Sequence, residues 1–222
     1  MTATAPETGA AGPGPQPAGR RERKKQRTRE ALVDAAFALF AEKGFDSTTV
    51  EEIADAVDVS SRTFFRYFAS KEDVALTFQE EQTRAVMVAL AERPADEPIM
   101  TALRRAVVGI ARACEAGELG FDTDRFDCVL TMMSDSPALM AGSLEHAQRK
   151  QALVIEFVAE RLGADPATDL RPHVIAAAAT CGFQAAADAM RRQDGAFGSL
   201  SETVDKTFAI LEEGLNQPPA SG

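Results

Sequence analysis

Apolar side chains recur every three to four residues along most of this chain, which is the period of an amphipathic α-helix. Val33, Ala36, Phe37 and Phe40, for example, fall at positions i, i+3, i+4 and i+7. No stretch shows the strict alternation that marks a half-buried strand. The spacing predicts helices over 23–43, 50–56, 60–68, 70–93, 98–116, 122–134, 137–162, 167–193 and 199–214. We therefore expect an all-α fold of about nine helices, with the short connections of a helical bundle.

The composition of the 222 residues excludes several classes of protein. Apolar residues make up 45% and charged residues 26% of the chain, which is ordinary for a globular protein. No apolar run approaches the ~20 residues that a membrane span requires, and the N-terminus lacks the apolar core of a signal peptide. Cys114, Cys128 and Cys181 are odd in number and widely spaced, which disfavours a disulfide framework or a zinc site. We expect a cytoplasmic protein with no membrane association, no metal and no cofactor.

The formal net charge of −10 at pH 7 would argue against a nucleic-acid-binding protein if it were evenly spread. It is not, because residues 76–222 carry 13 basic and 22 acidic side chains, whereas residues 1–75 carry 11 and 12. Residues 20–29 alone hold seven basic side chains and one acidic side chain. The N-terminal part can therefore meet DNA, while the acidic remainder would repel DNA from the wrong side.

The segment TVEEIADAVDVSSRTFFRYFASK, residues 49–71, contains two short helices joined by a three-residue turn. This is the layout of a helix-turn-helix. Ile53, Val57, Val59 and Phe64 are apolar at the spacing that lets the two helices bury a common face. The pattern predicts a DNA-reading unit whose second helix is the recognition helix.

The recognition helix presents polar side chains outward. Ser60 can cap its start by accepting hydrogen bonds from main-chain N–H groups. The guanidinium of Arg62 suits a guanine edge, and Thr63 suits a base edge or a thymine methyl group. Lys71, at the start of the next helix, can reach a phosphate together with that helix N-terminus. The basic run over 20–29 is expected to be an arm that reaches phosphates or the minor groove.

These motifs resemble the TetR family of one-component repressors over about residues 25–75. A long first helix ends in FAEKGFDSTTV, EEIADAVDVSSRTFFRYF follows, and SKEDV opens the fourth helix. Asp58 stands where the family usually has glycine, but aspartate tolerates a left-handed turn. Phe65 stands where the family often has tyrosine, and it cannot donate to a phosphate. That leaves Phe65 either at the edge of the core or against a sugar of the DNA.

The resemblance implies a homodimer that binds a double-stranded, palindromic DNA operator. It places the family's DNA-facing positions at the recognition helix, with Tyr67 and Lys71 on phosphates. It also implies a DNA-binding domain over 20–70, made of the arm and the helix-turn-helix, and an effector-binding and dimerisation domain over 71–216. Residues 1–19 are rich in Pro and Gly, which predicts a disordered tail, and a second disordered tail is expected over 217–222. The expected DNA-binding residues are Arg23, Lys24, Arg27, Thr49, Ser60, Ser61, Arg62, Thr63, Phe65, Arg66, Tyr67 and Lys71.

The resemblance further implies a small-molecule cavity among helices four to eight, with helix four as the hinge to the DNA. The residue types suit a small, largely apolar or amphipathic effector, and the TFFRYF form of the helix is similar to that of regulators that respond to long-chain acyl groups. Taken singly, each candidate fits plain core better than a ligand contact, and His146 can be solvent-exposed beside Glu145, Gln148 and Arg149. The candidates are Phe78, Gln82, Ile110, Cys114, Phe126, Leu130, Met133, His146 and Phe183.

In the resembled family the last two helices of each subunit pair with those of its partner. The expected interface residues are Ala178, Gly182, Ala185, Val204, Phe208 and Leu211. The small residues permit close helix approach, and the larger ones, with Leu215, form an apolar stripe. The same stripe can instead face the core of its own chain.

The function expected from these features is that of a ligand-responsive transcriptional repressor. The alternative is a DNA-binding dimer with no small-molecule effector. An enzyme is not expected, because the sequence lacks the G-x-S-x-G, H-E-x-x-H, P-loop and dinucleotide-binding motifs.

Overall fold

The structure, a computed structural model, describes residues 19–192 and 197–215. The predicted tails, 1–19 and 217–222, lie outside these residues apart from Gly19. The described residues form helices with no strand, which confirms the all-α prediction. The helices are α1 (Arg20–Lys43), α2 (Val50–Asp55), α3 (Ser61–Phe64), α4 (Lys71–Ala91), α5 (Ile99–Ala116), α6 (Thr123–Asp135), α7 (Pro137–Leu162), α8 (Arg171–Arg192) and α9 (Leu200–Glu213).

Side-chain caps fix several helix starts close to their predicted positions. At α2, the Thr49 hydroxyl accepts from the Glu52 N–H, and the Glu52 carboxylate accepts from the Thr49 N–H at 2.9 Å. Lys43 pairs with the same carboxylate, and hydrogen bonds from Lys43 and Thr49 lower the pKa of Glu52 from 4.5 to about 2. Because the folded-state pKa is depressed, this stabilisation is present above pH 4.5 and disappears as the pH falls towards 2.

Two of the helix boundaries that differ from their predicted positions have a local cause. The helix predicted from residue 167 begins only at Arg171, because Asp165 holds a turn in between. Its carboxylate accepts from the Ala167 N–H at 2.9 Å and its carbonyl accepts from the Asp169 N–H at 2.8 Å. The third helix, predicted to run to Phe68, is α-helical only to Phe64 and continues as tighter turns.

The nine described helices divide into two packed groups that α4 and α6 connect. Helices α1, α2 and α3 pack together at the N-terminal end. In the larger group, α9 packs on α5 and α8, and α7 packs on α4 and α8. Both α4 and α6 touch α1 as well as α5 and α7, so these two helices link the groups. The buried apolar side chains form one continuous cluster through both of them.

Specific contacts hold α9 against its neighbours. The Arg104 guanidinium on α5 donates to two carboxylates on α9, that of Asp205 at 2.8 Å and that of Glu212 at 2.6 Å. Gly182 on α8 lies where a Cβ atom would stand 2.9 Å from a methyl carbon of Leu211, so its missing side chain allows the close approach. Within the part of the chain that the structure describes, every helix is too short or too polar to cross a bilayer.

Candidate nucleic-acid interface and ligand cavity

The turn between α2 and α3 has the geometry that the sequence predicted. Asp58 adopts a left-handed conformation with φ of 54°, and the next N–H, of Val59, donates to the Ala54 carbonyl at 3.0 Å. Ile53 and Ala54 on α2 and Phe64 on α3 are fully buried. The two helices therefore bury their apolar faces, and α3 turns its opposite face to solvent.

The outward face of α3 carries cations and an exposed aromatic ring. Arg62 and Arg66 are exposed, and neither pairs with a carboxylate among the described residues. The Arg66 guanidinium stacks 5.1 Å from the Tyr67 ring and donates to its hydroxyl at 3.3 Å. Phe65 is 55% exposed, although its edge meets the buried Phe64 ring. Ser61 and Thr63 are partly exposed beside them.

Two predicted DNA-facing hydroxyls are already engaged in helix capping. The Thr49 hydroxyl donates to Glu52 at 2.9 Å as well as accepting from its N–H. The Ser60 hydroxyl accepts from the Thr63 N–H at 3.3 Å and lies 3.1 Å from the Thr63 hydroxyl. Both residues stay exposed, but these hydrogen bonds assign their hydroxyls to the starts of α2 and α3.

Lys71 makes contacts within the chain that the sequence did not predict. Its ammonium donates to the carbonyls of Phe45, Asp46 and Thr48 at 2.7, 3.2 and 2.9 Å, and it lies 4.5 Å from the centre of the Phe45 ring. An ammonium has three donors, and all three are used. Lys71 therefore binds the start of α4 to the loop between α1 and α2, and its contact with a phosphate stays a prediction.

The whole basic run over 20–29 is helical, so the predicted arm is the first part of α1. Helix α1 begins at Arg20, three residues earlier than predicted, and Arg23, Lys24 and Arg27 lie exposed on its first turns. Arg29 instead packs 5.0 Å from the centre of the Phe68 ring at the end of the helix-turn-helix. The exposed cations thus project from a rigid element fixed to the recognition unit.

A cavity of about 320 Å³ lies among α4, α5, α6, α7 and α8. Six predicted residues line it: Phe78, Gln82, Ile110, Phe126, His146 and Phe183. Cys114 does not line the cavity, but its buried sulfur accepts a hydrogen bond from the amide of Gln82, which does, at 3.2 Å. The side chains of Leu130 and Met133 lie outside those the structure describes. Six polar residues that were not predicted also line the cavity: Gln79, Thr83, Lys150, Thr180, Gln184 and Asp188.

His146 and Lys150 bring polar chemistry to this largely apolar space. His146 is only 7% exposed, which overturns the expectation that it can lie in solvent. The Lys150 ammonium lies 4.7 Å from the centre of the Phe183 ring. A spacing of four residues on α7 places both on one helix face, and that spacing was the signal available in the sequence.

The exposed face of α8 and α9 differs from the predicted interface. Val204 and Phe208 are fully buried within the chain, and Leu211 packs against Gly182, so these four residues serve the internal contact between α8 and α9. Ala178 is half-buried and Ala185 is exposed. The large apolar side chains on the outer face are Val174, Ile210 and Leu215, which are 55%, 50% and 72% exposed.

Comparisons with known proteins agree with this arrangement. The family described as bacterial regulatory proteins, tetR family, matches residues 32–77, and the MftR C-terminal domain family matches residues 97–216. TcmR, an HTH-type transcriptional regulator of Streptomyces glaucescens, is 38% identical over 164 residues, which is 73% of each chain. The chain belongs to the TetR family. It is therefore a DNA-binding transcriptional regulator.

Solved structures of transcriptional repressors share its fold. FadR of Thermus thermophilus, a transcriptional repressor solved in complex with lauroyl-CoA, is 24% identical and has a TM-score of 0.51. The match covers 87% of this chain and 99% of FadR. NalD, the secondary repressor of the MexAB-OprM multidrug efflux pump in Pseudomonas aeruginosa, is 17% identical, with a TM-score of 0.55 over 86% of this chain and 97% of NalD.

Proposed function

We propose that this TetR-family regulator is a repressor that binds a palindromic operator as a homodimer and releases it when a small, largely apolar molecule fills the cavity. Residues 20–70 would form the DNA-binding domain, and residues 71–216 the effector-binding and dimerisation domain. The observation that carries the proposal is that α4 and α6 each contact both the cavity and α1.

The DNA-binding part of the proposal rests on the exposed cations of α1 and α3. Arg62 and Thr63 would read base edges in the major groove, while Arg66, Tyr67 and the basic turns of α1 would contact phosphates. Ser61 and the exposed ring of Phe65 would pack against the DNA backbone. Thr49, Ser60 and Lys71 would support this surface by fixing the helices rather than by direct contact.

The dimer would form on the outer face of α8 and α9. Val174, Cys181 and Ala185 follow one another along the exposed side of α8, and Ile210 and Leu215 lie exposed on and just after α9. Exposed apolar residues clustered in this way are typical of interaction surfaces. A two-fold dimer would place two recognition helices in successive major grooves, about 34–36 Å apart or a multiple of that.

Two helices would carry the effector signal to the DNA-binding unit. Helix α4 begins at Lys71 beside the loop between α1 and α2, and its Phe78 and Gln82 line the cavity two and three turns later. On α6, Phe126 lines the cavity, while the neighbouring Arg125 pairs with Asp34 on α1. A ligand that displaces either helix would therefore move α1.

The ion pair between Arg125 and Asp34 gives a test of the α6 route. We expect Asp34→Asn to bind operator nearly as well as the wild type, because an exposed ion pair contributes at most about 1 kcal/mol to stability. Take a compound that releases the wild type from its operator, and compare the operator affinity without and with it. This ratio should be about fivefold smaller in Asp34→Asn, because the ion pair transmits part of the coupling of about 1–3 kcal/mol between effector binding and DNA binding. Gel-shift titrations with and without that compound measure the ratio.

Arg105→Ala is the matched control for this route. Arg105 also pairs with a carboxylate, Glu97, but it lies on the exposed side of α5 away from α1. Its removal should leave the release unchanged. Equal release by wild type and Asp34→Asn would exclude α6 as a route and leave α4 alone.

The basic turns of α1 give a second test. Replacing Arg23, Lys24 and Arg27 by alanine should weaken binding to all DNA sequences by a similar factor, because phosphate contacts carry no sequence information. The slope of log K against log salt should fall by about 2–3, or about 0.9 for each phosphate that these side chains no longer neutralise. Fluorescence anisotropy on operator and random duplexes at several salt concentrations measures both. A change confined to the operator would assign these residues to base readout.

The repressor proposal itself is tested by operator release. A gel shift with the full chain and selected operator DNA, screened against apolar and amphipathic compounds, should find compounds that free the DNA. If none of them does so at saturating concentration, the alternative function, a DNA-binding dimer without an effector, is favoured instead.

A further inference from the structure

The ligand cavity contains a buried histidine, His146, whose ring nitrogens form no well-aligned hydrogen bond with the described residues. The Gln79 main chain lies close to the ring, but neither ring nitrogen of His146 meets a described group at both the distance and the angle of a normal hydrogen bond. Burial lowers the pKa of His146, and the nearby charge of Glu80 and the Gln79 main chain only partly oppose that effect. A neutral imidazole can both donate and accept. Leaving such a group buried and unpaired costs free energy, which a ligand in the cavity would recover.

Lys150 adds an ammonium group next to this histidine. Its ammonium lies against the face of the Phe183 ring at 4.7 Å, and it belongs to none of the ion pairs among the described residues. Burial lowers the pKa of Lys150, because a cation out of water without a counter-charge is unfavourable. Asp188 also lines the cavity, but it already has an interaction of its own. Within the part of the chain that the structure describes, the Lys150 ammonium therefore has no anionic partner.

We propose that the effector is an organic acid, whose single anionic group pairs with Lys150 and hydrogen-bonds His146 while its apolar body packs against the cavity wall. This inference rests on the proposed function, since it names the chemical class of that effector. The two side chains lie one helical turn apart, so one carboxylate-sized group can reach both. Phe78, Phe126 and Val129 supply the apolar wall. The volume of about 320 Å³ lies at the small end of ligand sites.

Two fluorescent dyes that share an aromatic body test the charge requirement. 8-Anilinonaphthalene-1-sulfonate carries an anionic group, and N-phenyl-1-naphthylamine is the same molecule without it. With the full chain, we expect the sulfonate to bind at least tenfold more tightly than the neutral amine. Lys150→Met should weaken sulfonate binding about tenfold to a hundredfold and leave amine binding within twofold.

Three further variants locate the effect. Lys206→Met removes an ammonium on the exposed side of α9, where it donates to the Phe197 carbonyl at 3.1 Å, and should change neither dye. His146→Leu should weaken sulfonate binding severalfold. Ala147→Phe fills the cavity and should block both dyes, because Ala147 lines it. Dye binding that survives in Ala147→Phe would place the site elsewhere and overturn the proposal.

The outcome separates this inference from the proposed function. If the ratio of the sulfonate and amine dissociation constants is the same in Lys150→Met as in the wild type, the ammonium selects no anion and the acid proposal is overturned. The proposal is also overturned if the wild type binds neither dye. Operator binding is measured on the same samples. If Lys150→Met and the wild type both bind operator while the dye ratio is unchanged, the DNA-binding regulator stands and only the ligand class fails.

Discussion

Arg62→Ala should weaken operator binding by about 5–150-fold and relax the base preference at one position of each half-site. The expected reduction is about 1–3 kcal/mol, the usual contribution of a bidentate contact to a base edge. Arg62 is exposed at the start of α3 and has no carboxylate partner among the described residues, so the substitution disturbs no ion pair within the described protein. Anisotropy titrations on the operator and on single-base variants of it measure both effects.

The cations on the first turns of α1 are expected to act differently from Arg62. Arg62→Ala should abolish discrimination at one base position, whereas replacing the α1 cations should lower affinity for every sequence. Arg105→Ala, which removes an arginine from the exposed face of α5, should change neither. If Arg62→Ala weakens operator and random DNA equally, then Arg62 contacts phosphate and the assignment of base readout to it is wrong.

Lys71→Met should destabilise the DNA-binding domain by about 2–3 kcal/mol. The substitution removes three hydrogen bonds from a charged donor, each normally worth about 1.5–3 kcal/mol where buried, and a cation–π interaction with Phe45. The expected effect is lower than the sum because the site is partly open to water, which can replace some of these bonds. Denaturant unfolding followed by tyrosine fluorescence measures the effect.

This probe is specific because Tyr67 is the single tyrosine of the chain and there is no tryptophan. Its fluorescence therefore reports on the helix-turn-helix, while circular dichroism reports on all helices. Lys25→Met, at an exposed position on α1, should leave the midpoint unchanged. If Lys71→Met is as stable as the wild type and its DNA binding depends less on salt, then Lys71 contacts a phosphate, as the sequence predicts.

Features encoded in a few neighbouring residues were predictable from the sequence. Ser60, Ser70 and the pair of Thr49 and Glu52 lie three residues from the groups they bind, so capping follows from local pattern alone. The left-handed turn at Asp58 follows from the same short-range reasoning. The all-α class and most helix boundaries depend on such local signals, and they agree with the structure.

Features that depend on long-range packing were not predictable. Lys71 meets carbonyls that precede it by 23 to 26 residues, and no local pattern marks that interaction. The apolar stripe of Val204 and Phe208 could face a partner or the chain itself, because periodicity identifies an apolar face but not what covers it. His146 has polar neighbours in the sequence yet is buried, since only one side of α7 faces the cavity.

Nuclease footprinting of the full chain, on DNA selected from a random pool, tests most directly whether a filled cavity releases a symmetric operator. We predict two symmetric protected half-sites about one helical turn apart or a multiple of that, with both protections disappearing together when a compound that fills the cavity is added. Protection of a single unpaired half-site at saturating protein, or a footprint that persists when the cavity is shown to be filled, would contradict the proposed function.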